Sequence, residues 1–370
     1  MTIYALSSGS GLAGIAVIRV SGLQTKEVIS KLTKKELPKP RMATKCKFNK
    51  IAGNQLIDEG ILIWFPGPAS YTGEDMAEFH VHGSKAVVDA LHSSISLIDG
   101  CRLAEPGEFT KIAFQNGKIN LLKAESISDL ISSETEIQRQ QAIKIMSGKS
   151  SNKFNSLRER LLKVLSNIEA KIDFPEDDLP NNILKNINSE TKKIKIEIEK
   201  ILNDQKVGER IREGFKIAIV GPTNAGKSSL LNYLSQRDVA IVSEIAGTTR
   251  DVIEAHLNID GFPVVVSDTA GIRESKDEIE RKGIKLALDR AENADLNLIV
   301  IEPKSVDFAQ FLSNFGPKKS ILVVNKIDLG FDRISDEIEK YESVQVSIKQ
   351  EKHLDKLIDM IKKNLKNNFI

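Results

Sequence analysis

Cysteine is nearly missing from this chain. Cys46 and Cys101 are the two among 370 residues, which excludes a disulfide scaffold and a four-cysteine zinc site. Five histidines leave little from which to build a His-rich metal centre. An excess of one charge is lacking as well: 53 Lys and Arg face 51 Asp and Glu, a formal net charge of +2. A polybasic, histone-like protein is thereby excluded, although a local basic face is not. No run approaches the roughly 18 apolar residues of a membrane span. The opening MTIYALSSGSG has neither the positive flank nor the apolar run of a signal peptide. A cytoplasmic protein is expected, with no membrane partner.

What remains is ordinary globular usage, 41% hydrophobic and 28% charged, enough for a real core. The length predicts two or three domains. Residues 1–118 read as an α+β unit. Ala13–Val20 and Leu56–Phe65 are β-branched and aromatic-rich and end at Ser21-Gly22 and Pro66-Gly67. Phe79–His82 is a shorter strand, and Lys85–Leu97 a helix. The first 50 residues carry ten Lys or Arg against two acidic residues, either a solvated face or a contact with nucleic acid or another anion.

Residues 119–213 contain proline only at Pro175 and Pro180. Apolar residues recur at three- and four-residue spacing over Asn120–Met146, Phe154–Ile172 and Ile183–Asn203, which predicts three amphipathic helices that need a helical partner surface. Asp173–Asn182 is the linker. Residues 214–370 return to short apolar strands, Phe215–Val220, Pro263–Ser267, Leu296–Ile301 and Ser320–Val324, each running into a polar or glycine-bearing loop. That alternation predicts a mostly parallel α/β sheet with function at the carboxyl ends of its strands.

The loops carry the chemistry. Gly221-Pro222-Thr223-Asn224-Ala225-Gly226-Lys227-Ser228 follows a strand and opens a helix. Its glycines let backbone N–H groups wrap phosphates, Lys227 reaches the β- and γ-phosphates, and Ser228 ligates Mg²⁺. Asp268-Thr269-Ala270-Gly271 follows the next strand. Asp268 is placed to hold Mg²⁺, and the Gly271 N–H to meet the γ-phosphate and move when it leaves. Asn325-Lys326-Ile327-Asp328 follows another. A carboxylate there accepts both the N1 and N2 donors of guanine, a pair that adenine lacks, so the site selects GTP over ATP. Ser347-Ile348-Lys349 sits where a last base-contacting loop belongs, with Ile348 departing from the common Ser-Ala-Lys. Thr249, within Gly247-Thr248-Thr249-Arg250-Asp251, completes the Mg²⁺ shell.

Taken together, GPTNAGKSSLLN, IVSEIAGTTRD and DTAGIRE, with the N-terminal blocks GIAVIRVSG, YTGEDMAEFHVHG and AEPGEFTKIAFQNGKINLLKAESISDLI, resemble the MnmE (TrmE) family of tRNA modification GTPases, within the Era/TrmE-like superfamily. The N-terminal blocks are not general GTPase motifs and separate this family from other Era-like proteins. The resemblance implies a multidomain chain: an N-terminal folate-binding and dimerisation domain, a helical domain, and an inserted P-loop GTPase domain. It implies GTP contacts over Asn224, Ala225, Gly226, Lys227, Ser228 and Ser229; Ser243, Glu244, Ile245, Ala246, Gly247, Thr248 and Thr249; Asp268, Thr269, Ala270 and Gly271; Asn325, Lys326 and Asp328; and Ser347, Ile348 and Lys349. It implies K⁺ held by Asn224, Ser243, Ile245 and Thr248, and Glu280 orienting the attacking water beside catalytic Lys227 and Thr249. Ile272 follows Asp-Thr-Ala-Gly, so the water-positioning glutamine of Ras-like proteins is absent and another solution is required.

Folate contacts fall by the same resemblance at Arg19, Glu78 and Lys118, for a 5,10-methylene or 5-formyl tetrahydrofolate. Cations suit glutamyl carboxylates, and a carboxylate suits pterin N–H groups. The implied reaction adds an aminomethyl or carboxymethylaminomethyl group to carbon 5 of the tRNA wobble uridine. A homodimer would perform it in a heterotetramer with the FAD-containing protein MnmG. Family members run past the G domain to a terminal Cys-Ile-Gly-Lys, whereas this chain ends at Asn368-Phe369-Ile370. A helical domain present in its first half only is therefore expected, with apolar stripes exposed. Ser7-Ser8-Gly9-Ser10-Gly11 also replaces the usual Ala-Thr-Pro-rich loop. An Era-like regulatory switch without tRNA-modifying activity, and a shortened structural subunit, are the competing expectations.

Overall fold

Six strands, β1 (Thr2–Leu6), β2 (Ala13–Ser21), β3 (Thr44–Asn49), β4 (Leu56–Phe65), β5 (Met76–Gly83) and β6 (Cys101–Leu103), form one sheet, with buried and less buried residues alternating along β2, β3 and β5. The computed structural model describes residues 1–173, 183–203, 207–222, 224–237, 254–268, 290–303, 315–330 and 340–369. They divide into two units, Met1–Glu125 and Ser126–Ile370. In the first unit the strand order is β3-β4-β5-β2-β1-β6; every pairing is antiparallel except β1 with β6. Ile18 and Val20 of β2, Phe48 of β3, Leu62 of β4 and Phe79 of β5 point into a core closed by α1 (Thr25–Thr33) and α2 (Lys85–Ile95) through Val28, Ile29, Leu32, Leu91 and Ile95. Helix α3 (Glu108–Gln115) follows. Its Glu108 takes a hydrogen bond from Arg102 at 2.9 Å and another from the Glu105 N–H at 2.8 Å.

The span Asn120–Met146 is not one helix, as its apolar spacing predicts, but two: α4 (Leu121–Ile131) and α5 (Glu136–Met146). Ser132 and Ser133 turn their hydroxyls back onto the Ser128 and Leu130 carbonyls. Thr135 then restarts the chain with a capping box: its hydroxyl accepts from Gln138 N–H at 3.3 Å, while the Gln138 side-chain oxygen accepts from Thr135 N–H at 3.0 Å. Local side-chain bonds of this kind compete with a continuous helix. Helices α6 (Lys149–Asp173) and α7 (Ile183–Leu202) pack on each other, with Arg160 of α6 bonded to Glu190 and Glu197 of α7 at 2.6 and 2.7 Å. Their remaining apolar face, including Leu161, Leu162, Leu165 and Leu202, is exposed, as expected. No helix among the described residues is long and apolar enough to cross a membrane. The linker Asp173–Asn182 lies outside the described residues apart from Asp173.

After α8 (Val207–Glu213) comes a second sheet of β7 (Phe215–Val220), β8 (Glu254–Ile259), β9 (Phe262–Asp268), β10 (Leu296–Ile301), β11 (Ser320–Val324) and β12 (Glu342–Gln345). The order is β12-β11-β10-β7-β9-β8, and all pairs are parallel except β8 with β9. Alternate residues of β7 and β10 enter opposite cores: Ile217, Ile219, Leu298 and Val300 on the side of α9 (Lys227–Arg237) and α10 (Leu354–Phe369), Ala218, Val220, Ile299 and Ile301 on the other. Burial on both faces explains why these strands read as unbroken apolar runs. Chain order reverses at β7, which opens a crevice at its carboxyl end, where α/β sheets bind ligands. Helix α5 docks on this unit: Ile137 packs against its core, and Gln141 donates to the Gly208 carbonyl at 3.1 Å.

Replacing Thr135 by Ala should cost about 1 kcal/mol, read as a lower urea midpoint with an unchanged slope. The Arg102 guanidinium holds Glu108 down to about 2. A carboxyl lowered on folding stabilises fully above its ordinary value, and that contribution fades as pH falls toward 2. The stability gap between the native chain and Glu108→Gln should therefore close on acidification, as measured by urea unfolding at stepped pH.

Candidate active site

The phosphate loop leaves β7 at Gly221 and enters α9 at Lys227. A side chain at Gly221 would place its Cβ 2.1 Å from the Val300 carbonyl of neighbouring β10, and one at Gly226 would sit 2.3 Å from the Asn325 amide. Both glycines are thus demanded by close approach as well as by φ values of 154° and 101°. Between them Asn224 takes a left-handed φ of 63°. The Lys227 Nζ donates to the Gly221 and Pro222 carbonyls at 2.9 and 2.8 Å, so this buried residue, 7% exposed, holds its ammonium inside the loop. Ser228 and Ser229 open the helix on its exposed side, where helix N-terminal amides favour anions.

Asn325, 3% exposed, joins this loop to the base side. Its Nδ2 donates to the Ala225 carbonyl at 2.8 Å, its Oδ1 accepts from the Ile348 N–H at 3.2 Å, and its own N–H reaches the Ile301 carbonyl at 2.8 Å. The Ser347 hydroxyl donates to Asp328 Oδ1 at 2.6 Å. That bond, aided by Lys349 and Lys352, holds the Asp328 carboxyl below its usual range. The Ser347 oxygen in turn accepts from the Gln350 N–H at 3.2 Å. Lys326, in a left-handed conformation, pairs with Glu302 at 3.2 Å. Asn325, Lys326, Asp328, Ser347 and Ile348 are therefore brought together, with Lys349 exposed at the rim. Asp268 ends β9 opposite Ile219 of β7, two residues before Gly221. Ser243, Glu244, Ile245, Ala246, Gly247, Thr248, Thr249, Thr269, Ala270, Gly271 and Glu280 lie outside the described residues.

The motifs named Asn325 as a base contact. Its second role, bracing the phosphate loop, has no signal in sequence, and neither has Glu302, which is marked only by following β10. In the first unit Arg19 and Glu78, opposite each other in the β2–β5 register, form one ion pair: Nε and Nη2 of Arg19 reach Glu78 Oε1 at 3.1 and 2.8 Å. The Arg19 guanidinium lies 5.7 Å from the Tyr71 ring centre and 5.6 Å from that of Phe109. His80 Nε2, 3.5 Å from Glu78 Oε2, is buried without a hydrogen-bond partner among the described residues. Lys118 lies beside Gly73 in the loop that carries Tyr71. Neither aromatic ring, nor His80 as a neighbour of Glu78, is among the residues picked out from sequence; the alternation along β5 that sets Glu78 and His80 on one face is the signal for the latter.

A glycine loop at the end of a central parallel strand, a lysine within it and a carboxylate in a separate base loop define a P-loop GTPase. Comparison with known proteins narrows the class. A family model described as "GTP-binding protein TrmE N-terminus" matches residues 2–118, and one described as "MnmE helical domain" matches residues 121–369. The chain is 72% identical over 341 residues to the tRNA modification GTPase MnmE of Pelagibacter ubique, covering 92% of this chain and 77% of that protein. It is 46% identical over 370 residues to that of Rickettsia bellii, covering 99% and 83%. Among solved structures, Aquifex aeolicus Era bound to GDP and AlF4⁻ aligns at 33% identity and a TM-score of 0.33 over 40% of this chain and 56% of Era. The chain belongs to the MnmE (TrmE) family.

Changing Asn325 to Ala strands the Ala225 carbonyl and the Ile348 N–H. It should destabilise the unit by about 2 kcal/mol or more and weaken nucleotide binding, both readable from thermal unfolding with and without GDP.

Proposed function

We propose that this protein is a K⁺-stimulated GTPase that acts with an FAD-containing MnmG-type partner to modify carbon 5 of the tRNA wobble uridine, using a tetrahydrofolate-borne carbon. The observation that carries this reading is the 92% coverage of the chain by a relative named for tRNA modification, with a guanine-suited nucleotide site and a separate Arg–Glu face in one molecule. The three-domain division at 1–118, 119–213 and 214–370, and dimerisation through the first of these, belong to the same proposal.

In the GTPase, Lys227 and the loop amides hold the phosphates, and Asp328 takes the two guanine donors. Hydroxyl and carboxylate oxygens suit Mg²⁺, and Ser228, Thr249 and Asp268 are the residues that would hold it. The Asn224 side-chain oxygen, with Ser243, Ile245 and Thr248, would hold K⁺ where it offsets charge developing between the β- and γ-phosphates. Glu280 orients the water. In the first unit, Glu78 accepts pterin N–H groups. Arg19 orients that carboxylate through its paired hydrogen bonds, Tyr71 and Phe109 offer flat faces, and Lys118 remains for a glutamyl carboxylate.

Hydrolysis should run several-fold faster in K⁺ than in Na⁺; equal rates would remove potassium from the mechanism. Glu280→Ala should lower the rate by about 10²-fold or more with GTP affinity retained. Glu78→Gln should weaken 5-formyltetrahydrofolate binding in calorimetry while GTP hydrolysis stays intact. Native chain that binds GTP but no folate would favour the Era-like switch.

A further inference from the structure

The basic start of the chain folds into a ledge around the free edge of β3. Strand β3 is the outermost strand of its sheet and runs Thr44-Lys45-Cys46-Lys47-Phe48-Asn49, with Cys46 and Phe48 buried and Lys45 and Lys47 exposed. Lysines on an edge strand commonly guard against unwanted strand pairing. That accounts for Lys45 and Lys47, which share the single carboxylate of Glu59 at 3.6 and 3.1 Å. It does not account for Lys34, Lys35, Lys39 and Lys50, which lie off the strand and make no ion pair among the described residues.

The fold gathers these four. Lys34 caps α1 in a left-handed conformation, its N–H bonded to the Ser30 carbonyl. The Asn49 side chain approaches the Leu32 carbonyl at 3.5 Å, which draws the end of α1 to the end of β3 and to Lys50. The charge of Lys35 is felt by buried Cys46. Lys39 sits on the return segment from α1 to β3, which is pinned where the Arg41 N–H meets the Trp64 carbonyl. Glu36 is the one acidic residue from Lys31 to Lys50. Leu37 and Met42 are the large apolar side chains exposed along it, and they are scattered singly. No aromatic ring is exposed there to stack a base. Flexible point charges without stacking partners match a phosphodiester backbone, not base edges.

We propose that Lys34, Lys35, Lys39 and Lys50 form a contact surface for the sugar-phosphate backbone of tRNA. This rests on the reading that tRNA is the substrate, and the test separates the two. In a filter-binding titration of unmodified tRNA against KCl concentration, the quadruple Lys→Gln variant at these positions should bind about tenfold or more weakly near 150 mM salt. Its slope of log K against log salt should be shallower by about 3. GTP hydrolysis should be unchanged, which reports an intact fold. Lys192, Lys193, Lys195 and Lys200 of α7, all exposed, changed together to Gln remove the same charge elsewhere and should leave affinity and slope near native values. Equal losses in the two variants would overturn the ledge in favour of net charge alone. Native affinity in the ledge variant, with lost binding to polyglutamate, would overturn it in favour of an acidic protein partner. A native chain that binds no tRNA at any salt would overturn the substrate reading along with it.

Discussion

The nucleotide site depends on one buried amide. Asn325 stands between the phosphate loop and the base loop and bonds to the backbone of both, at Ala225 and Ile348. Gly226 can have no side chain because that amide occupies the space. A phosphate loop needs its N–H groups aimed inward before any ligand arrives, and a base pocket needs a fixed distance from it. A side chain carrying one donor group and one acceptor group, held where water cannot compete, meets both needs at once.

The same principle recurs in two prospective ligand-facing carboxylates. Asp328 is held by the Ser347 hydroxyl, and Glu78 by the Arg19 guanidinium. In both cases one oxygen is committed to a protein partner, which orients the group. Preorganised charge of this kind avoids rearrangement on binding. In the first unit it makes Arg19 and Glu78 one paired group.

The chain's charge is organised in a similarly local way. Positive charge collects around β3, whereas elsewhere cations such as Arg160, with Glu190 and Glu197, and Arg210, with Asp295, meet acidic partners. A balanced total therefore says little about any one surface. The α6–α7 pair carries the opposite kind of exposure, an apolar face left open beside its ion pairs.

Sequence by itself determined the elements whose cause is local or periodic. The strands Leu296–Ile301 and Ser320–Val324, the phosphate loop and the Asn-Lys-Ile-Asp loop were all legible, because burial on both faces and turn chemistry leave marks on neighbouring residues. The break at Ser132–Thr135 was legible only through its capping box, since the apolar spacing runs straight across it. Short or edge strands such as β1, β3, β8 and β12 were not, for their pairing depends on partners far along the chain. Tertiary structure alone decided that Arg19 and Glu78 are one pair, that Tyr71 and Phe109 flank it, that Gly221 must yield to Val300, and that Asn325 braces a loop 100 residues away. Those are contacts between residues distant in sequence, and no spacing rule encodes a distance that only folding creates.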